Sequence, residues 1–230
     1  MNEFIAESAY FGVSISLFAF FIGTLIKKRF KSAVFNPLLI TIIIVIAVLL
    51  LFKIDYDSYY NGAKYLSYLL TPATVSLAVP LYQQWQLLKS NALAIMLGII
   101  SGMITSLVCV LAFALILRLD HKDYVTLLPK SITTAIGMGV SEELGGYVAI
   151  TVAAIVITGI LGNVIAESVL KVFKITEPIA KGIAIGSASH AMGTAKAMEL
   201  GEIEGAMSSL SIVVSGLLTV VGATVFSYIY

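Results

Sequence analysis

Charge is what this chain has least of. Of its 230 residues only 12% are Asp, Glu, Lys or Arg, while 59% are apolar, and the mean hydropathy is +1.01. An ordinary soluble domain carries about a quarter of its residues as charges, so the solvent for this sequence is lipid. Cysteine is equally scarce. Cys109 stands alone, which excludes an internal disulfide and any cysteine-ligated zinc or iron–sulfur site. Lying in an apolar run, it reads as a small packing residue. With 14 Lys+Arg against 13 Asp+Glu the net charge is +1; there is no basic field to recruit nucleic acid and no acidic tail. No metal or other cofactor is expected.

A charge at mid-bilayer costs about 2.5–3.5 kcal/mol on insertion scales, so uncharged gaps between ionisable residues mark candidate spans. Residues 8–26, 32–52, 65–88, 90–117, 144–166 and 205–230 all lack Asp, Glu, Lys and Arg, and each exceeds the roughly 18 residues a spanning helix requires. The pattern predicts an all-α membrane protein: a polytopic bundle of six long spans within one integral membrane domain, residues 1–230. Two shorter uncharged stretches, 131–141 and 182–195, are rich in Gly, Ser and Thr and predict discontinuous or re-entrant helical segments.

Orientation follows from the cations. The first apolar segment starts with Glu3 and Glu7 and is followed by Lys27, Lys28, Arg29 and Lys31, the reverse of a signal peptide, and is expected to be a retained helix. The basic cluster belongs on the cytoplasmic side, which places the N-terminus outside. Keeping Lys171, Lys174 and Lys181 inside and Glu142 and Glu143 outside requires residues 124–141 to enter and leave on one face. Phe30, Phe52, Tyr56, Tyr59, Tyr60, Trp85, Tyr228 and Tyr230 fall near span ends, as an aromatic belt requires.

An internal repeat is suggested by Leu69-Leu70-Thr71-Pro72-Ala73-Thr74 and Leu127-Leu128-Pro129-Lys130-Ser131-Ile132, giving units of about 60–118 and 119–175. In each, proline and hydroxyl residues interrupt a hydrophobic segment, the pattern of broken helices meeting near a transporter's midplane. Unpaired N–H groups at such breaks attract anions.

The densest polar run is Gly182 to Ala197. Helical spacing puts Gly186, His190, Gly193 and Ala197 on one face, with Ser187 and Thr194 beside it. Two readings stand: a small-residue packing seam, or a substrate or proton site that accounts for His190 and Lys196 in or near the membrane. Lys130, Ser131, Thr133 and Thr134 offer a cation and three hydroxyls to a small carboxylate; alternatively Lys130 snorkels and the threonines bond back to their own helix. Thr71-Pro72-Ala73-Thr74 is either part of a site or a plain proline kink. Glu142 and Glu143 read as a solvated loop. Asn163 and Glu167 either bind a cation or proton or lie at the interface.

Taken in order, Pro72-Ala73-Thr74-Val75 through Val79-Pro80-Leu81-Tyr82, Leu128-Pro129-Lys130-Ser131 with Thr133-Thr134, Ile157-Thr158-Gly159-Ile160-Leu161-Gly162, and Ser189-His190 with Gly193-Thr194-Ala195-Lys196-Ala197 resemble the LrgB/CidB family of bacterial membrane proteins. The resemblance runs from about Ala6 through nearly the whole chain. It implies a small holin-like LrgA/CidA-type membrane partner, an effect on autolysis, and kinship with the plastid glycolate/glycerate translocator. It carries over Thr74, Ser76, Lys130, Ser131, Thr133, Thr134, Ser189, His190, Thr194 and Lys196 as binding or translocation residues. Two positions depart from the family's pattern: Ala135 replaces a proline after the Thr pair, and Ala166-Glu167 replaces Gly-Pro.

The expectation is a multi-pass transporter or transport subunit of the bacterial inner membrane for monocarboxylates of the pyruvate, glycolate or lactate type. His190 is its proton-coupling candidate, and a homo-oligomer would supply a fixed frame. The alternative is a holin/antiholin-like regulator of murein hydrolase export without its own solute transport. An enzyme is not expected: Ser189 and His190 are adjacent and point differently on a helix, and no Asp follows to orient the imidazole.

Overall fold

A computed structural model describes residues 10–30, 35–76 and 78–230, with the side chains of Leu70, Thr71 and Thr74 outside the description. Glu3, Glu7 and Lys31, used above for orientation, also lie outside it. The described secondary structure is all helical, without strands. They divide into two compact units, residues 1–76 and 77–230.

The first unit holds α1 (Phe11–Phe30), α2 (Pro37–Leu51), α3 (Tyr56–Ser67) and α4 (Leu70–Ser76). Asn36 starts α2, its side chain accepting hydrogen bonds from Leu38 N at 2.8 Å and Leu39 N at 3.3 Å, and Pro37 occupies the first turn, where its missing N–H costs nothing. Gly12 lets α1 lie against the main chain of Tyr59 and Ala63 of α3, and Ser16 Oγ meets Tyr59 Oη at 2.8 Å beside it.

The second unit comprises α5 (Ala78–Gln83), α6 (Trp85–Ser90), α7 (Ala92–Leu117), α8 (His121–Leu127), α9 (Thr134–Glu143), α10 (Val148–Val172), α11 (Pro178–Leu200) and α12 (Glu202–Ser227). One apolar core joins Leu107, Val110 and Ala114 of α7 to Tyr124, Val125 and Leu128 around α8, to Ile132 and Val140, and to Ala223 of α12. Another sets Ile95 and Ile99 of α7 against Ile183 of α11 and Met207 of α12. The α11–α12 seam is built on small residues: a Cβ on Gly186 would fall 2.5 Å from the Ser208 carbonyl oxygen. Such close approach is how helices pack where no hydrophobic drive exists between them.

Among the described residues four helices are long and apolar enough to cross a membrane: α1, α7, α10 and α12. They correspond to four of the six expected spans. The stretch 32–52 yields a helix of 15 residues, because the Asn36-Pro37 start removes its first quarter. The stretch 65–88 is not one helix: among the described residues the chain turns at Tyr68-Leu69 and again at Gln84, and Pro72 cannot donate an N–H to the turn before it. Apolar side chains such as Phe18, Ile43, Leu97, Phe113, Ile116, Leu217 and Val221 face outward, as lipid contact demands.

The two short polar stretches also resolve. Residues 131–141 belong to a helix–turn–helix of α8 and α9 joined across 128–133. Asp120 caps α8 by accepting from Asp123 N at 2.7 Å. Thr151 Oγ1 of α10 donates to the Thr126 carbonyl at 2.8 Å and lies 2.7 Å from Ser141 Oγ, pinning both short helices to α10. Residues 182–195 fall inside α11, which breaks at His190, where φ is 43° and ψ −138°. A non-glycine residue there costs roughly 1–3 kcal/mol, held only by its surroundings.

Candidate functional site: a lysine–serine groove

Ser101, Gly102, Thr105, Ser106 and Cys109 recur on one face of α7 at helical spacing. The turn after α8 brings Lys130 and Ser131 to that face, with the Lys130 N–H donating to the Leu127 carbonyl at 3.2 Å. Thr158 and Gly162 of α10, and Ser187, Ala188 and Ser189 of α11 just before its break, complete a groove of about 530 Å³.

The chemistry of the groove is that of a cation among hydroxyls. Lys130 Nζ donates to Ser131 Oγ at 3.0 Å and reaches Ser106 Oγ at 3.5 Å, and the two serine oxygens are 3.0 Å apart. The serines share one hydrogen bond, so one hydroxyl hydrogen and one ammonium hydrogen remain for a ligand. Ser101, Thr105 and Ser187 instead donate back to the carbonyls of Gly98, Ser101 and Ile183 at 2.7–2.8 Å, and present only acceptor lone pairs to the groove. Among the described residues lining it there is no carboxylate, and Lys130 has no carboxylate partner there. The site is therefore suited to a small anion whose other end accepts polar or apolar contact.

Of the ten residues singled out by sequence, the groove gathers Lys130, Ser131 and Ser189. The structure places the others elsewhere. His190 sits at the break itself, its Nε2 donating to the Ile155 carbonyl of α10 at 3.0 Å, which requires the Nε2–H tautomer; its ring packs against Gly159. Thr194 bonds the His190 carbonyl at 3.0 Å and lies 2.7 Å from Ser208 Oγ of α12, so it serves the α11–α12 seam. Lys196 is paired with Glu167 Oε1 at 2.6 Å and Glu199 Oε2 at 3.0 Å. Thr133 and Thr134 begin α9 outside the groove lining. Ser76 donates to the Pro72 carbonyl at 2.8 Å on an exposed surface of the first unit, and the Thr74 side chain lies outside the described residues. Glu142 and Glu143 end α9, both exposed, where a loop was expected.

Sequence reasoning missed the α7 contribution. Ser101, Thr105, Ser106 and Cys109 lie in a stretch counted only as an uncharged span. The signal was present, since small and hydroxyl residues repeat there every three or four positions. Cys109, expected as packing, is exposed and lines the groove. The serine stripe of α12, with Ser208, Ser209, Ser211 and Ser215 all buried, was also not singled out.

The chain matches the LrgB-like family over residues 16–229. It is 39% identical over 220 residues to the antiholin-like protein LrgB of Bacillus subtilis (strain 168), covering 95% of each chain. It is 38% identical over 218 residues to the proteins of the same name from Bacillus mycoides (strain KBAB4) and Bacillus cereus (strain B4264), covering 94% of this chain and 95% of each relative. No solved structure matches. Since these matches run through every element that builds the groove, the chain belongs to the LrgB-like family, and it is a helical membrane protein of that family.

Proposed function

We propose that this chain carries short monocarboxylates of the pyruvate, glycolate or lactate type across the bacterial inner membrane, with its N-terminus outside and an LrgA-type small membrane protein as partner. The observation that carries this reading is Lys130: an ammonium without a carboxylate partner among the described residues, flanked by Ser106 and Ser131, in a groove bordered by a broken helix. A buried or half-buried cation in a membrane is costly without an anion, and a carboxylate is the anion that one ammonium and one hydroxyl match. The helix break beside the groove supplies the element that changes exposure between the two membrane faces. Ser189 and His190 receive no catalytic role, because His190 Nε2 is committed to the Ile155 carbonyl.

The antiholin-like names of the relatives favour a second reading, a regulator that moves no solute itself. Uptake of labelled pyruvate, glycolate and lactate into proteoliposomes, with and without an LrgA-type partner, separates the two. Saturable uptake of one of these acids supports transport. Its absence in both preparations, with partner association intact, supports the regulator.

A further inference from the structure

We infer that the C-terminal end of α10 holds the headgroup of an anionic phospholipid. A cavity of about 570 Å³ opens there, separate in its lining from the Lys130 groove. Its rim carries Lys171, Lys174 and Lys181, and its wall is Leu170, Ile175 and Leu200. One carboxylate, Glu167, also lines it; its Oε1 pairs with Lys196 at 2.6 Å and its Oε2 lies 3.8 Å from the 80% exposed Lys171. Three cations to one engaged carboxylate leave the cavity positive.

The helix dipole does not account for this arrangement by itself. Lys171 and Lys174 follow the rule that cations favour a helix C-terminus, and Lys174 turns the chain there with φ 54°. Lys181 does not follow it: it stands in the early part of α11, where the dipole repels a cation. Its contact with Glu204, at 3.6 Å, is looser than a direct hydrogen bond. A cation held against the dipole, facing two others across an apolar wall, is complementary to a phosphate with an acyl chain attached. Val172 and Phe173, 74% and 72% exposed on the adjoining turn, continue the apolar surface that the chain would follow. A free phosphate would use the lysines and leave that wall against water. Basic clusters at the cytoplasmic interface attract anionic lipid in the same way. This inference is independent of the carboxylate reading.

The test is native mass spectrometry of the full chain released from detergent micelles containing phosphatidylglycerol or phosphatidylcholine. The wild type is expected to retain phosphatidylglycerol selectively, and the double variant Lys171→Gln/Lys174→Gln to lose about tenfold of that retention. Lys171 is 80% exposed, and Lys181 is left in place with Glu204, so the variant tests charge and not folding; the Lys171→Arg/Lys174→Arg variant is expected to retain the lipid. Equal retention by wild type and the Gln variant, loss in the Arg variant, equal retention of phosphatidylcholine, or displacement of the lipid by millimolar inorganic phosphate would each overturn the inference.

Discussion

The side-chain amide of Asn163 donates a 2.7 Å hydrogen bond to the main-chain carbonyl of Met192, two residues beyond the break at His190. With the bond from His190 Nε2 to the Ile155 carbonyl at 3.0 Å, it ties α10 to the interrupted part of α11 from both sides. These two bonds hold open the geometry that sets Ser187 and Ser189 on the groove. Replacing Asn163 with Leu keeps the volume and removes the donor. The expected loss is about 0.6–1.5 kcal/mol, read as a lower Tm of the purified protein in detergent. An unchanged Tm would show that the amide does not secure the break.

Glycine substitutions should divide by position. A Cβ on Gly159 would meet His190 Cε1 and Met192 Sδ, each at 2.8 Å. Met192 can swing away, but the imidazole is held by Ile155. Gly159→Ala is therefore expected to destabilise by roughly 1–3 kcal/mol. Gly139, within α9, has nothing within 4 Å of an added Cβ, and Gly139→Ala should stabilise by about 0.5–1 kcal/mol through helix propensity. Thermal unfolding of the two variants side by side checks both directions.

Lys196 is expected to act in stability and not in ligand binding. It bridges Glu167 of α10 and Glu199 of its own helix, with its side chain 16% exposed and that of Glu167 43% exposed. A double-mutant cycle of Lys196→Gln and Glu167→Gln should give a coupling of about 0.5–1 kcal/mol, reduced by salt. The affinity for a short carboxylate should stay unchanged in Lys196→Gln. A large loss of affinity with intact stability would return Lys196 to the binding site.

How much of this was legible in the sequence depended on the kind of signal. The four long helices stood out because charge is excluded from the bilayer core, and α7, with no Asp, Glu, Lys or Arg over 92–117, is the clearest example. The stretch 65–88 passed the same test yet turns at Tyr68-Leu69 and at Gln84, which hydropathy does not register. Lys130 and Ser131 were legible as neighbours in sequence. Ser106, which completes their hydrogen-bonded set from 25 residues away, became visible only with the packing of α7 on the turn after α8. His190 was singled out as a costly residue for a membrane, but its positive φ is a tertiary property with no sequence signature. The pairing of Lys196 with Glu167 was hidden for the same reason: Lys196 was read with His190 as part of a binding or proton site, and Glu167 with Asn163 near a span end.

The central claim is that a short carboxylate binds at Lys130, and Cys109 provides a direct reporter of it. The chain's single cysteine is exposed and lines the same groove. Alkylation of Cys109 by a thiol reagent, timed with and without saturating pyruvate, glycolate or lactate, measures occupancy at that place. At least one of these acids is expected to slow the reaction in the wild type, if Lys130 holds it. Lys130→Gln is then expected to weaken the protecting acid about tenfold to a hundredfold, as loss of a charge-assisted hydrogen bond implies. Alkylation at the same rate with and without every acid in the wild type, or protection that survives Lys130→Gln undiminished, would contradict the claim.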